Sequence, residues 1–175
     1  MMQIKKYMLL ILLMVMMSWV TGFGQLPENQ LKAAFIEKFT HFIEWPDDTV
    51  QNKPFVIYVF PDSPLIPYLQ NLFQNHKIKQ RPVDLLITDN ISLLDSAHIV
   101  IVHSSYKHIM PIILARIKHK AILTIGDYNE FLNDGGILLL YREEDTLRFA
   151  INLDALSHTG LIVSSQLLKL AKLYR

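Results

Sequence analysis

The chain has 175 residues, of which 51% are hydrophobic and 19% are charged, with 17 basic residues against 16 acidic ones. This composition is typical of a packed globular domain and excludes a disordered chain. The formal net charge of +1, with no block of basic residues, gives no indication of nucleic-acid binding.

The first 24 residues have the layout of a secretory signal peptide. Lys5 and Lys6 precede an almost wholly apolar run at 7–20, and small residues follow it. This run is shorter than the roughly 20 residues that span a bilayer, so an uncleaved membrane anchor is the less favoured alternative. We predict cleavage near Gly24 and a periplasmic domain over residues 25–175.

The first predicted helix covers Glu28–Ile43 and ends before Pro46, because a residue that precedes proline is forced out of the helical region. Its apolar residues recur at three- and four-residue steps, which predicts one buried face. That face contains Leu31, Ala34, Phe35, Phe39, Phe42 and Ile43.

Short apolar segments then alternate with helical ones. The predicted strands are 55–60, 83–88, 98–103, 121–125, 137–141 and 147–151. The helical segments between them are one that ends near residue 74, one at 106–118 and a short one at 127–132. This order predicts a single α/β domain with a central, mostly parallel sheet of about five to six strands, flanked by helices on both faces. The short charged turn at 142–145 makes the last two strands an antiparallel hairpin near the C-terminus.

The C-terminal residues predict a long helix. Asn152 is suited to cap it, and residues 153–175 place small side chains, including Gly160 and Ser164, on its buried face. A kink at Thr159–Gly160 is the alternative. The outer side of this helix is predicted to form a dimer or partner surface containing Leu161, Ile162, Lys169 and Leu173.

Two loops that follow predicted strands are candidate ligand-binding segments, because ligands of open α/β sheets bind at the carboxyl ends of strands. The six candidate residues are His103, Ser104, Ser105, Tyr106, Asp127 and Tyr128. The alternative is structural: the serines and Asp127 cap the helices that follow them.

The seven histidines do not predict a metal site. His98 and His103 lie five residues apart on one strand, so their side chains point to opposite faces. His103 and His108 are close across a loop, but no Asp, Glu or Cys completes a recognisable ligand set. No catalytic motif occurs either, and we predict no enzyme activity, no metal and no cofactor.

Five segments in their order along the chain resemble the YfiR family of exported bacterial proteins. They are LKAAFIEKFTHFIEWP (31–46), FVIYVFPDSP (55–64), HIVIVHSS (98–105), ILTIGDYNEFLNDGGILLL (122–140) and RFAINLDALSHTGLIVSSQLLKLA (148–171). The resemblance covers nearly all of the predicted mature domain.

This resemblance implies a non-enzymatic periplasmic regulator that forms homodimers. Its best-known relatives repress a membrane-bound diguanylate cyclase by binding its periplasmic sensor domain, which lowers cyclic-di-GMP and limits biofilm formation. An outer-membrane lipoprotein can sequester the repressor. The alternative function is a small-ligand-binding accessory module of a sensor histidine kinase system.

The chain departs from the family pattern in its cysteines. Family members often carry them, whereas this chain has none. A disulfide-based redox response is therefore excluded here.

Overall fold

The computed structural model describes residues 27–46 and 53–175. The predicted signal peptide lies outside these residues. Within the described part of the chain, no helix is long and apolar enough to cross a membrane.

The described residues form five α-helices, nine strands and two 3-10 helices. The α-helices are α1 (Glu28–Phe42), α2 (Ile66–Phe73), α3 (Met110–Ile117), α4 (Leu153–Ser157) and α5 (Ser165–Leu170). The strands are β1 (Ile43–Glu44), β2 (Phe55–Val59), β3 (Val83–Ile87), β4 (Ile99–Val102), β5 (Leu123–Gly126), β6 (Leu138–Glu143), β7 (Thr146–Asn152), β8 (Ile162–Val163) and β9 (Lys172–Tyr174). The 3-10 helices are Ile91–Ser96 and Ser104–Ile109.

A seven-stranded sheet in the order β3-β2-β4-β5-β6-β7-β9 forms the centre of the domain. The strands from β3 to β6 are parallel, β7 is antiparallel to β6, and β9 runs parallel to β7. The predicted mostly parallel sheet with an antiparallel hairpin is confirmed. The sheet exceeds the predicted five to six strands because the C-terminal segment supplies β9.

The core has two layers, one on each face of the sheet. All four residues of β4 are buried, since alternate side chains enter opposite layers. Ile99 and Ile101 pack in the layer beneath α1 and α2, whereas Val100 and Val102 pack in the layer beneath α3. Helices therefore cover both faces, as the sequence predicts.

The buried face of α1 is rotated from the predicted one. Its buried residues are Lys32, Ala33, Ile36, Phe39 and Thr40, and Leu31, Phe35 and Phe42 are only half-buried. Burial of a lysine and a threonine is possible because both are paired. Thr40 Oγ1 donates to the carbonyl of Glu37 at 2.7 Å, and the partners of Lys32 are described below.

The helix predicted at 106–118 begins as a 3-10 helix and continues as α3. Pro111 lies in the first turn of α3, where the absent N–H is not needed by the helix. Its position therefore marks the start of the α-helix.

The prediction of a short helix at 127–132 is wrong, because these residues form consecutive turns. Phe131 is fully buried and holds the turns in place by packing against glycine. A Cβ atom at Gly136 would lie 2.2 Å from the Phe131 ring. The Phe131 ring therefore packs directly against the backbone of Gly136, and the segment forms turns in place of a regular helix.

The predicted long C-terminal helix is also wrong. Asn152 does cap a helix, since its Oδ1 accepts from the N–H of Ala155 at 2.9 Å, but α4 has only five residues. Gly160 then adopts a φ of +75°, which L side chains rarely adopt. The chain continues as β8, α5 and β9, so the break goes further than the predicted kink.

Pairing explains why this segment leaves the helical conformation. The β-branched residues Ile162 and Val163 pair with Glu44 and Ile43 of β1 in a two-stranded antiparallel ribbon. Ser164 is not a buried spacer in a helix: its Oγ accepts from the N–H of Leu167 at 3.3 Å and caps α5.

Replacing Gly160 with alanine tests whether the helix is interrupted at this residue. The two arrangements predict opposite changes in the free energy of unfolding. No atom lies within 4 Å of an added Cβ, so the effect is purely conformational. A left-handed residue other than glycine costs about 1–2 kcal/mol, and urea denaturation should show Gly160→Ala destabilised by about that amount. In a continuous helix the same change would stabilise the protein by roughly 1 kcal/mol. Gly160→Asn, which tolerates this conformation better, should lose less.

Candidate functional site

The two loops predicted to bind a ligand meet at the carboxyl ends of β4 and β5. The last residues of these strands, Val102 and Gly126, are paired, so the next residues, His103 and Asp127, are neighbours. His103 Nδ1 lies 3.3 Å from Asp127 Oδ1. The structure therefore brings together two of the six candidate residues.

Lys32 of α1 completes this cluster. Its Nζ lies 3.3 Å from Asp127 Oδ2 and 2.9 Å from Glu28 Oε1. The side chains of Lys32 and Asp127 are only 10% and 14% exposed, and buried charges require such pairing. The hydrogen bond and charge of Lys32 hold the pKa of Glu28 below its usual value.

This cluster, Glu28–Lys32–Asp127–His103, is a clamp between α1 and the sheet. Each charged group is satisfied by another member, and the adjoining cavity has a volume of only about 10 Å³. Such a space holds about one water molecule. The cavity beside His103 and Asp127 is therefore too small for an organic ligand.

Sequence reasoning missed Lys32, because the apolar periodicity of α1 placed this residue outside the buried face. The four-residue spacing of Glu28 and Lys32, which favours an ion pair on a helix, was the available signal. Asp127 was predicted to cap a helix. It pairs with Lys32 instead, since no helix follows it.

The two candidate serines lie at the rim of the clamp. Ser104 Oγ lies 3.4 Å from His103 Nε2, and the carbonyl of Ser105 lies 3.1 Å from His108 Nδ1. Neither serine caps the 3-10 helix, because its N-cap is His103, which makes no side-chain capping bond.

The two candidate tyrosines are packed in the layer beneath α3. Tyr106 stacks on Phe60 with ring centroids 4.3 Å apart, and Tyr128 meets the ring of Phe131 edge-on at 5.3 Å. Burial raises the pKa of the Tyr128 hydroxyl, and the nearby carboxylate of Asp134 adds to this effect.

His98 holds the end of α1 against the sheet. Its Nδ1 accepts from the N–H of Val56 at 3.0 Å, its ring stacks on Phe55 at 4.4 Å, and its carbonyl accepts from Trp45 Nε1 at 3.1 Å. Among the residues that the structure describes, no group of three or more His, Cys, Asp or Glu is arranged to hold a metal ion.

The C-terminal segment carries an unusual share of exposed apolar side chains. Within the described ranges, seven large hydrophobic residues are exposed: Ile87, Leu93, Ile112, Ile162, Leu170, Leu173 and Tyr174. The last four all belong to the final 14 positions. Lys169 is also exposed, whereas Leu161, which helical phase placed beside the exposed face, is buried at 7% exposure.

We define the C-terminal surface as Ile162, Lys169, Leu170 and Leu173. Leu173 pairs with the buried Ile151, so both side chains point to the sheet face that α1 covers. The strand that carries Leu173, β9, is an edge strand, since it pairs only with β7 in the described sheet. An edge offers unpaired backbone groups beside the apolar side chains.

A double-mutant cycle tests the clamp. Lys32→Met should lower the free energy of unfolding at neutral pH by about 1–3 kcal/mol, because the Asp127 carboxylate loses its cation in a buried position. Adding Asp127→Asn should recover part of this loss, since the uncompensated charge is removed. Urea denaturation measures all four proteins, and strictly additive losses would contradict the buried pairing.

The fold is similar to that of a solved structure. A conserved domain protein from Vibrio cholerae O1 biovar El Tor superimposes with a TM-score of 0.55 at 11% sequence identity. The match covers 84% of this chain and 60% of that one, so the chain spans less than two thirds of its structural relative. At this identity the likeness concerns the fold alone. A search of curated proteins found no significant match.

A family comparison covers nearly all of the described residues. The sequence model of the YfiR/HmsC-like family matches residues 29–172, from the first turn of α1 into β9. The match includes three of the four clamp residues, Lys32, His103 and Asp127, and most of the C-terminal surface. The chain therefore belongs to the YfiR/HmsC-like family of periplasmic regulatory, non-catalytic proteins.

Proposed function

We propose that this protein is an exported periplasmic repressor that binds the periplasmic domain of an inner-membrane sensor protein through its C-terminal surface. The observation that carries the proposal is the concentration of exposed apolar side chains on that segment in a member of this family. Several large exposed apolar side chains within one 14-residue segment favour an interaction site, whereas single exposed residues are ordinary.

The C-terminal surface has the composition of a protein interface. Ile162, Leu170 and Leu173 are 54%, 76% and 49% exposed, so each has apolar area left to bury against a partner. Removing such area from water contributes roughly 25 cal/mol per Å². Lys169 adds a charged group to the same segment, where rim charges guide the approach and orientation of a partner.

The edge strand adds a second means of recognition. The outer backbone groups of β9 are available for pairing with an extended segment, since no described strand covers them. Either a second copy of this chain or the sensor protein could supply that extended segment.

The partner that we propose is a membrane-bound diguanylate cyclase. In this scheme the signal peptide at 1–24 directs the domain to the periplasm, and binding to the cyclase lowers cyclic-di-GMP and limits biofilm formation. An outer-membrane lipoprotein releases the cyclase by sequestering the repressor. A sensor histidine kinase is the alternative membrane partner.

Aspartate substitutions at exposed apolar residues test the C-terminal surface. In a strain that lacks the gene, wild-type protein should restore low cyclic-di-GMP, whereas Ile162→Asp and Leu173→Asp should not. Each carboxylate would be desolvated in the interface, which we expect to weaken binding at least tenfold, or about 1.4 kcal/mol. Ile112→Asp is the control, since Ile112 is 52% exposed but belongs to α3 on the other sheet face.

Cyclic-di-GMP extracted from the cells is the readout, and thermal unfolding of the purified variants confirms that they are folded. Full repression by folded Ile162→Asp and Leu173→Asp proteins would contradict the proposed surface. Unchanged cyclic-di-GMP after deletion of the gene would contradict the cyclase partner and favour the kinase.

A further inference from the structure

A large cleft lies at the end of the sheet opposite the clamp. Its volume is about 490 Å³, which lies within the range of roughly 300–1,000 Å³ for small-molecule sites. It lies where β5 and β6 begin and where β7 and β9 end. The end of α3, the turn before β6 and α4 form its walls.

The inner part of the cleft is apolar. Leu114, Ile117, Leu132 and Ile137 line it, and they present more carbon than polar surface to a ligand.

The polar groups of the inner wall are satisfied within the protein. Thr124 Oγ1 accepts from the N–H of Ile137 at 2.9 Å, and Asn152 Nδ2 donates to the carbonyl of Leu132 at 3.0 Å. An apolar group can therefore enter the cleft at these positions without breaking a hydrogen bond, because Thr124 and Asn152 keep their partners within the protein. These bonds also fix the wall before any ligand arrives.

The outer part of the cleft is rich in basic groups. Lys118, His119, His158 and Arg175 line it, with Asp154 as the single acidic side chain. Among the described residues, no carboxylate forms an ion pair with Lys118, His119 or His158. This contrasts with the clamp, where each charge already has a partner.

We infer that this cleft is a binding site for a small organic acid with an apolar body. The body occupies the space between α3, the turn and α4, and the carboxylate lies at the rim against Lys118 and His158. Charge complementarity selects an acid over an amine, because Lys118, His119 and His158 line the rim without an ion-pair partner among the described residues, and Asp154 is the single acidic side chain in the lining. This places the ligand site at the opposite end of the sheet from His103 and Asp127.

The probes for this site are 4-phenylbutyrate, 4-phenyl-1-butanol and 4-phenylbutylamine, which share one apolar body and differ in charge. Isothermal titration and backbone amide shifts of the 25–175 chain measure binding. The acid should bind about tenfold more tightly than the alcohol, corresponding to about 1.4 kcal/mol, and the amine should bind more weakly than either. The largest shift changes should occur at Lys118, Ala155 and His158.

Two variants locate the site. Ala155→Trp should abolish binding of the acid by filling the cleft, and Lys118→Glu should weaken the acid at least tenfold while sparing the alcohol. Lys77→Glu, an equal change of charge at an exposed residue on another part of the surface, should leave both affinities unchanged. If Ala155→Trp does not fold, Lys118→Glu still tests whether the carboxylate of the acid binds beside Lys118.

The inference is overturned if the acid and the alcohol both fail to bind at millimolar concentration. It is also overturned if the acid binds equally well to the wild type and to folded Lys118→Glu. Shift changes confined to the clamp or to the C-terminal surface would likewise place the acid elsewhere. These outcomes do not depend on any membrane partner.

Discussion

The positive φ of Gly160 is the constraint on which the functional end of the molecule depends. The break at this residue allows β8 to pair with β1, α5 to pack against α1, and β9 to join the sheet beside β7. A continuous helix over residues 153–175 would form none of these contacts. The exposed apolar residues, the free sheet edge and one wall of the cleft all result from this single change of direction.

The two ends of the sheet consequently have different chemistry. At the carboxyl ends of β4 and β5, Lys32 pairs with Glu28 and Asp127, and the charges stabilise the position of α1. At the other end, Lys118, His119 and His158 line an apolar cleft, and no carboxylate in the described part of the chain pairs with them. Strand β9 links the cleft to the C-terminal surface, since Leu173 and Tyr174 are adjacent in a strand and point to opposite faces.

Much of the sheet could be predicted from the sequence, because strands buried on both faces are short apolar runs such as IVIV in β4. The C-terminal segment could not. Its apolar residues fit a helical period, and only long-range pairing with β1 and β7 favours strands at 162–163 and 172–174. The clamp was predicted only in part: His103 and Asp127 were candidate residues on two separate loops, but their contact with each other and with Lys32 was not predicted. The cleft was not predicted, since its residues come from five separate parts of the chain.

The absence of cysteine allows a direct test of the C-terminal arrangement. Ala150 of β7 and Lys172 of β9 are paired neighbours, so the double variant Ala150→Cys/Lys172→Cys should form an intramolecular disulfide on mild oxidation. Mass spectrometry of the oxidised monomer after proteolysis would detect the linked peptides. In a continuous helix from residue 153, position 172 would lie about 30 Å from the end of β7. Failure of the folded protein to cross-link would contradict the account.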